Sequence, residues 1–531
     1  MILSVPVKSF DEQIATRFEA VERVRDDMHD YQTADVAFFK RTPFAFGLLE
    51  MGMGKSVTAG TYATDYLLDR WESEEKVLIV GPIAVVTQSW PDEFRTWKHL
   101  ACWPFTVLRE DDTDPATADR LRLARKEKRE GAERVAIRHD LARSRTRIHM
   151  ISFEGIEWLV DVWKRKWPYK LVIVDESSML KSHASKRFDA LAMVRREDLI
   201  DRMVLLTATP AAEGYIGLWS QTYLLDLGDA FGKDMKRYTD EFFSQNRYTF
   251  KWTLRPNAEP EILKRIAPMA TIRKRADHFN VTEPTMIYRR IVMSDAEMVL
   301  YKAMEKESVL RLGDTTIEAD TAAALCQKLS QMASGVLYET RLSEPEGYDP
   351  DLYDEAPDLI EERIVHSIHD RKIEMLREIV DELGTNLLVS YQHRSSLDRL
   401  KKAFPKAVQW DKTGKSKAPW NAGKIQMLLM HPKSGGHGQN LQKGGHVVVF
   451  FDIPWSREQF VQLIGRLDRQ GQQHPVSVIL MVAVNTVDER IAKAQEQKRD
   501  MEEALFDMLR RLIRGAGLQG REEVGHRPSW P

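Results

Sequence analysis

Cysteine is nearly absent from this 531-residue chain: Cys102 and Cys326 stand alone. Two thiols so far apart supply neither a disulfide framework nor a cysteine-rich zinc site, and they fit a reducing compartment. An excess of either charge is missing too, because 78 Lys and Arg face 80 Asp and Glu for a net charge of -2. Any nucleic-acid surface must then come from local clustering. Long apolar runs are lacking, so no segment reads as a membrane span. Lys8, Asp11 and Glu12 near the amino terminus leave no apolar stretch of signal-peptide type. The expectation is a soluble, cytoplasmic protein without membrane contact. Internal repeats and low-complexity tracts are likewise absent.

What is present is ample apolar content, 43% of the chain, enough for two or three cores. Apolar β-rich runs alternate with helical stretches, which predicts an α/β fold of parallel sheets flanked by helices. Strands are expected at Val77 to Val80, Leu171 to Val174 and Val204 to Leu206, then at Asn386 to Val389, Gln426 to Met430 and Val447 to Phe451. Between these halves, Phe231 to Met293 lacks strand rhythm and reads as an inserted helical element. Two segments break the alternation. Asp119 to Arg147 holds eleven basic against five acidic residues, an excess of six, and Glu344 to Glu362 holds nine acids and no base. Both read as surface insertions, the basic one as a solvated helix or a DNA-facing flank.

The sharpest local signal is Gly47-Leu48-Leu49-Glu50-Met51-Gly52-Met53-Gly54-Lys55-Ser56, followed by a helical run from Val57 to Leu68. Gly52, Met53 and Gly54 let main-chain amides approach phosphate oxygens, and the helix behind adds its positive end. Lys55 would neutralise the β- and γ-phosphates, and Ser56 would offer its hydroxyl to Mg²⁺. The generic phosphate-loop pattern wants glycine where Leu49 stands, and a glycine-rich turn capping a helix is the plain alternative. A second signal is Leu171-Val172-Ile173-Val174-Asp175-Glu176, a buried-strand run that ends in two acids. Open parallel sheets present ligand-handling groups there. Asp175 can hold the metal and Glu176 can orient the attacking water, although a solvated strand end looks the same in isolation.

Further motifs follow in order: Leu205-Leu206-Thr207-Ala208-Thr209-Pro210, Leu388-Val389-Ser390-Tyr391-Gln392, Ser434-Gly435-Gly436-His437-Gly438-Gln439-Asn440-Leu441, and Gln462-Leu463-Ile464-Gly465-Arg466-Leu467-Asp468-Arg469-Gln470-Gly471-Gln472. Together with the phosphate loop they resemble the superfamily-two helicases, and the closing block resembles their Swi/Snf-like branch over roughly Tyr31 to Lys498. The resemblance implies two tandem RecA-like lobes with helical insertions. Lobe 1 would cover 1–228, with a basic insertion near 108–147. A helical connector would take 229–283, lobe 2 284–500 with an acidic insertion near 341–364, and a helical brace and tail 501–531.

It also implies ATP and Mg²⁺ as cofactors. Gln32 would contact adenine, Gln462 and Gly438 would join the nucleotide site, and Val77 to Trp97 would form the first DNA-contacting motif. Thr207, Thr209, Gln392, Ser434, Gly435, Gly436 and Asn440 would contact DNA or couple it to the nucleotide; the glycine segment alone also reads as a flexible turn. Arg466 and Arg469, one helical turn apart, would stabilise charge on the transferring phosphoryl group from across a cleft, the dull alternative being a surface pairing with Asp468.

Departures are plain. Ser177-Ser178 stand where the family usually has alanine or glycine and then histidine, leaving Ser178 as a candidate for the histidine's role. His431-Pro432-Lys433 and Pro454-Trp455-Ser456 resemble a compact, phage-encoded branch, which would act in a bacterium or an infected host cell. Lys181, Ser185 and Lys186 stand where the family has basic and hydroxyl residues. The implied function is DNA-stimulated ATP hydrolysis driving movement of a monomeric motor on double-stranded DNA, gripped by its backbone. Strand-separating helicase and a nucleotide-dependent clamp without turnover are the alternatives; a nuclease lacks its acid cluster.

Overall fold

The structure is a computed structural model that describes residues 23–110, 115–211, 214–247, 252–279, 283–307, 309–312, 315–318, 322–343, 360–411, 414–433 and 440–515. These form two compact units: residues 23–279 with 500–515, and residues 283–433 with 440–499.

In the first unit the strands are β1 (Phe44–Leu49), β2 (Lys76–Gly81), β3 (Phe105–Val107), β4 (Ile148–Ser152), β5 (Tyr169–Asp175) and β6 (Arg202–Thr207). After these come a short antiparallel pair, β7 (Phe243–Gln245) with β8 (Trp252–Leu254), and β9 (Ala270–Arg273). Seven of them make one sheet in the order β3-β4-β2-β5-β6-β1-β9, and every pairing is parallel. Period-two alternation explains why both faces are dry. Leu78, Val80, Val172 and Val174 join one apolar cluster, while Val77, Ile79, Leu171 and Ile173 join the other.

The second unit repeats this logic. It holds β10 (Thr285–Ile291), the antiparallel pairs β11 (Val309–Leu312) with β12 (Thr315–Glu318) and β13 (Val336–Ser343) with β14 (Ile360–Ser367), then β15 (Leu387–Ser390), β16 (Val408–Gln409), β17 (Met427–Met430), β18 (Val447–Phe450) and β19 (Ser477–Ala483). Its sheet runs β10-β19-β18-β15-β17-β16, again wholly parallel. Leu388, Val448 and Leu480 pack on one face; Val389, Val449 and Ile479 pack on the other.

The α/β expectation, two tandem parallel sheets flanked by helices, is what the chain forms. The six expected strands coincide with β2, β5, β6, β15, β17 and β18. The stretch from Phe231 to Met293 differs, because it supplies β9 and β10 as well as the helices Met235–Phe242 and Ala258–Ile266. β9 is only four residues long and wholly buried, too short for a period to register.

The basic segment folds as two helices, Pro115–Lys126 and Glu130–Ala142. Arg120 bonds Glu133 and Asp140, Arg129 bonds Glu133, and Arg134 bonds Glu130, so much of its charge is internally paired. Of the acidic segment, residues 344–359 lie outside the described residues. The last helix, Val487–Gly515, sends Leu505, Phe506 and Leu509 into the core of the first unit. Among the described residues no helix is long and apolar enough to cross a membrane.

Candidate nucleotide-binding site

The register of the first sheet assembles the site. Asp175 on β5 pairs with Leu206 on β6, Leu206 pairs with Gly47 on β1, and Leu49 pairs with Arg273 on β9. Because parallel strands run level, four strand ends open on one edge of the sheet. They deliver the loop Glu50 to Gly54, the acids Asp175 and Glu176, the segment Thr207 to Thr209, and the segment that follows Arg273. Gly47 is required for closeness, since a Cβ there would stand 2.7 Å from Leu206 Cδ2.

Within the loop Gly52 (φ 82°) and Gly54 (φ 72°) take left-handed backbones that favour glycine. A Cβ on Gly54 would meet Gln32 Nε2 at 2.1 Å. Helix Lys55–Leu68 begins at once, with its N-terminal amides facing the loop. Lys55 Nζ donates to Leu49 O at 3.3 Å, so its ammonium lies back over the loop, and Ser56 is half-buried beside it.

Gln32 and Tyr31 start the helix Asp30–Arg41, and both donate to Met53 O, at 3.4 and 3.2 Å. Gln32 Oε1 also accepts from His29 N. That helix is pinned by a buried ion pair. Arg273 Nη2 lies 2.8 Å from Asp35 Oδ1, which also accepts from Thr271 Oγ1 at 2.6 Å. Burial pushes the Asp35 carboxyl up, while Arg273 pulls it down. An aromatic group lines this side: Tyr31 stacks on His29 and packs against His278 and Phe279. The sequence does not mark residues 270–279 as part of the site; the pairing of β9 with β1, the Arg273-to-Asp35 ion pair and the ring contacts of His278 and Phe279 place them there.

Asp175 is buried and accepts from Trp90 Nε1 at 3.0 Å and from Glu176 N at 3.0 Å. Within Val77 to Trp97, Trp90 is fully buried and donates to Asp175, and Trp97 is also buried and donates to Glu93. An indole is large and apolar, and Trp90 packs in the apolar cluster on one face of the sheet. Glu176 adopts a left-handed backbone (φ 56°, ψ 54°), which costs an L-residue roughly 1–2 kcal/mol. Thr207 and Thr209 are buried at the end of β6, joined by Thr209 N to Thr207 Oγ1 at 3.0 Å, and Thr209 Oγ1 has no hydrogen-bond partner among the described residues. Ser178 Oγ has none either, whereas Ser177 bonds Gln221.

These groups fit a magnesium nucleotide. The hydroxyl of Ser56 and the carboxylate of Asp175 are hard oxygen donors, suited to Mg²⁺, and no set of three metal-ligating side chains gathers among the described residues. The remaining ligands of such an ion would be phosphate and water.

In the second unit the helix Arg457–Ile464 ends at Gly465, so Arg466 lies in a turn and Arg469 in a bend beyond the helix, not on one helical face. Gly465 carries no side chain to favour continuation, and the chain turns there to meet Leu441, whose amide bonds Arg466 O at 3.1 Å. Arg466 is only 2% exposed. Arg469 is half-buried, and its Nη1 donates to Asn440 Oδ1 at 2.5 Å; Gln462 donates to Glu458. Gln472 staples the closing segment, its Nε2 reaching the carbonyls of Gln442, Gly445 and Leu467 at 3.0 to 3.1 Å. The backbone amide of Gln392 bonds the buried Asp452, whose carboxyl burial would raise but His393 and Lys372 hold low. Ser434, Gly435, Gly436 and Gly438 lie outside the described residues.

A family description, SNF2-related domain, matches residues 43–334, more than half of the chain. The chain belongs to the SNF2-related family. Putative protein p41 of Acyrthosiphon pisum secondary endosymbiont phage 1 is 31% identical over 87% of this chain and 94% of its own length. The uncharacterized ATP-dependent helicase YqhH of Bacillus subtilis (strain 168) is 23% identical over 94% of this chain and 82% of its own length. Among solved structures, the Sulfolobus solfataricus SWI2/SNF2 ATPase core in complex with dsDNA aligns over 93% of this chain and 98% of that one, at 16% identity and a TM-score of 0.38. This SNF2-related chain thus has a phage relative of nearly its own extent.

Proposed function

We propose that the chain hydrolyses ATP with Mg²⁺ at the strand-end edge of its first unit, and that DNA stimulates this turnover to drive movement along the duplex. The supporting observation is the row Gly47, Leu206 and Asp175, which brings the phosphate loop and the acid pair to the same edge. When bound, Mg²⁺ and the triphosphate supply the electrophilic phosphorus and much of the neutralising charge.

The protein's groups do the rest. Gly52, Met53, Gly54 and the helix start bind phosphate through the backbone. Lys55 would neutralise the β- and γ-phosphates, and Ser56 and Asp175 would hold the ion. Glu176 orients water and holds its proton, while Gln32 faces the adenine side. Gln462 and Gly438 complete the nucleotide contacts, and Arg466 and Arg469 stabilise the transferring charge. Thr207, Thr209, Gln392, Ser434, Gly435, Gly436 and Asn440 contact DNA or couple it to the nucleotide. The duplex preference follows from the family resemblance. Triplex displacement compared with unwinding of partial duplexes tests it: displacement without unwinding supports translocation, and unwinding alone overturns it.

A further inference from the structure

Behind the acid pair lies a hydrogen-bonded link that none of the motifs describes. Glu176 keeps a left-handed backbone, which persists in a residue with a Cβ only where neighbours over-determine it. The next residue, Ser177, is fully buried and donates its hydroxyl to Gln221 Oε1 at 2.9 Å. Gln221 is also fully buried, on the helix Leu218–Asp226, and its Nε2 donates to Pro210 O and Gly217 O at 3.2 Å each. Both of those partners can only accept, so the amide orientation is fixed with its oxygen toward Ser177. One residue earlier, Ser220 Oγ donates to Lys181 O at 3.0 Å, so the helix grips both ends of the turn Ser177–Leu180. Ser177, Gln221 and Pro210 therefore join the end of β5, with Asp175 and Glu176, to the end of β6, with Thr207 and Thr209. The Ser177 hydroxyl stands where the family usually has alanine or glycine, so the link belongs to this chain's form of the motif.

We propose that Gln221 is a positioning residue for ATP hydrolysis: by bridging Ser177 and Pro210 it holds Glu176 in its strained backbone and in register with Thr207 to Thr209. This rests on the ATPase reading above. Gln221 touches no reacting atom; its effect passes through Ser177 to the carboxylate that orients water.

The test is steady-state ATP turnover by the full chain, with and without duplex DNA, for wild type, Q221M, S177A and S177A/Q221M, alongside Tm and the affinity for a fluorescent nucleotide. Methionine keeps the length of the glutamine, and the double variant removes hydroxyl and amide together, so it spares the fold an unpaired Ser177. Q221M should lower kcat about ten- to a hundredfold in both conditions, with KM and nucleotide affinity within about twofold. The double variant should regain Tm but not kcat. Wild-type kcat in Q221M, or a double variant that regains Tm and kcat together, would overturn the proposal. Wild-type turnover indifferent to DNA would defeat the motor reading while leaving this comparison to be read on kcat, and no wild-type turnover at all would overturn both.

Discussion

At the scale of single residues, the account assigns binding and chemistry to different groups. Glu176 is placed to act on water, and Lys55 on phosphate. E176Q should therefore lower turnover by at least about a hundredfold while nucleotide affinity stays within about threefold, whereas K55A should lose both. Fluorescent-nucleotide titration beside a phosphate-release assay checks this, and a turning-over E176Q would contradict the assignment.

Two buried histidines give a pH prediction. Burial holds His149 down to about 3 and His369 down to about 4. In the unfolded chain both would protonate near the ordinary 6.5. Folded pKa values below the unfolded one mean that their stability contribution is complete above pH 6.5 and falls as pH drops below it. The loss approaches about 1.4 kcal/mol per histidine for each pH unit until the folded values are reached. Denaturant titrations between pH 7.5 and 5 should show this fall, and H149F should flatten part of it. A stability that stays level over that range would contradict the burial of these rings.

At the scale of elements, nucleotide binding depends on how the helix Asp30–Arg41 is held. The pair Asp35 and Arg273 ties that helix, and with it Gln32, to β9. D35A leaves the Arg273 guanidinium buried without its carboxylate, which should cost about 3–5 kcal/mol, and D35A/R273M should recover most of it. The D35A loss should appear in urea denaturation and as weaker nucleotide binding; a D35A protein of wild-type stability would show the pair to be dispensable.

Elements also differ in how readily the sequence reveals them. Val77 to Val80 and Leu171 to Val174 are continuous apolar runs bounded by turns, the pattern that strands buried on both faces require, and they are strands. Ala270–Arg273 is too short to show a period, so its place beside β1 emerges only from pairing with Phe46 to Leu49. The arginines after Gly465 show a different limit: their spacing fits a helix, but the helix stops at Ile464. The sequence does not reveal the place of Trp90, which is buried in the core with its one donor on Asp175. Gln221 carries no motif, and its role arises from a contact across 44 residues.

At the scale of the whole molecule, two parallel-sheet units of similar logic and an SNF2-related family match make a motor the economical reading. The phosphate loop, the acid pair, Thr207 to Thr209 and Ser390 to Gln392 were legible because each occupies a strand end or the start of a helix, where a few residue types satisfy the backbone. The choice of polynucleotide was not, because backbone contacts are blind to sequence and the net charge is almost zero. ATP turnover by the full chain should therefore be measured with no polynucleotide, single-stranded DNA, blunt duplex DNA and RNA at matched salt. The account predicts that duplex DNA raises kcat most, and equal rates in all four conditions would contradict it.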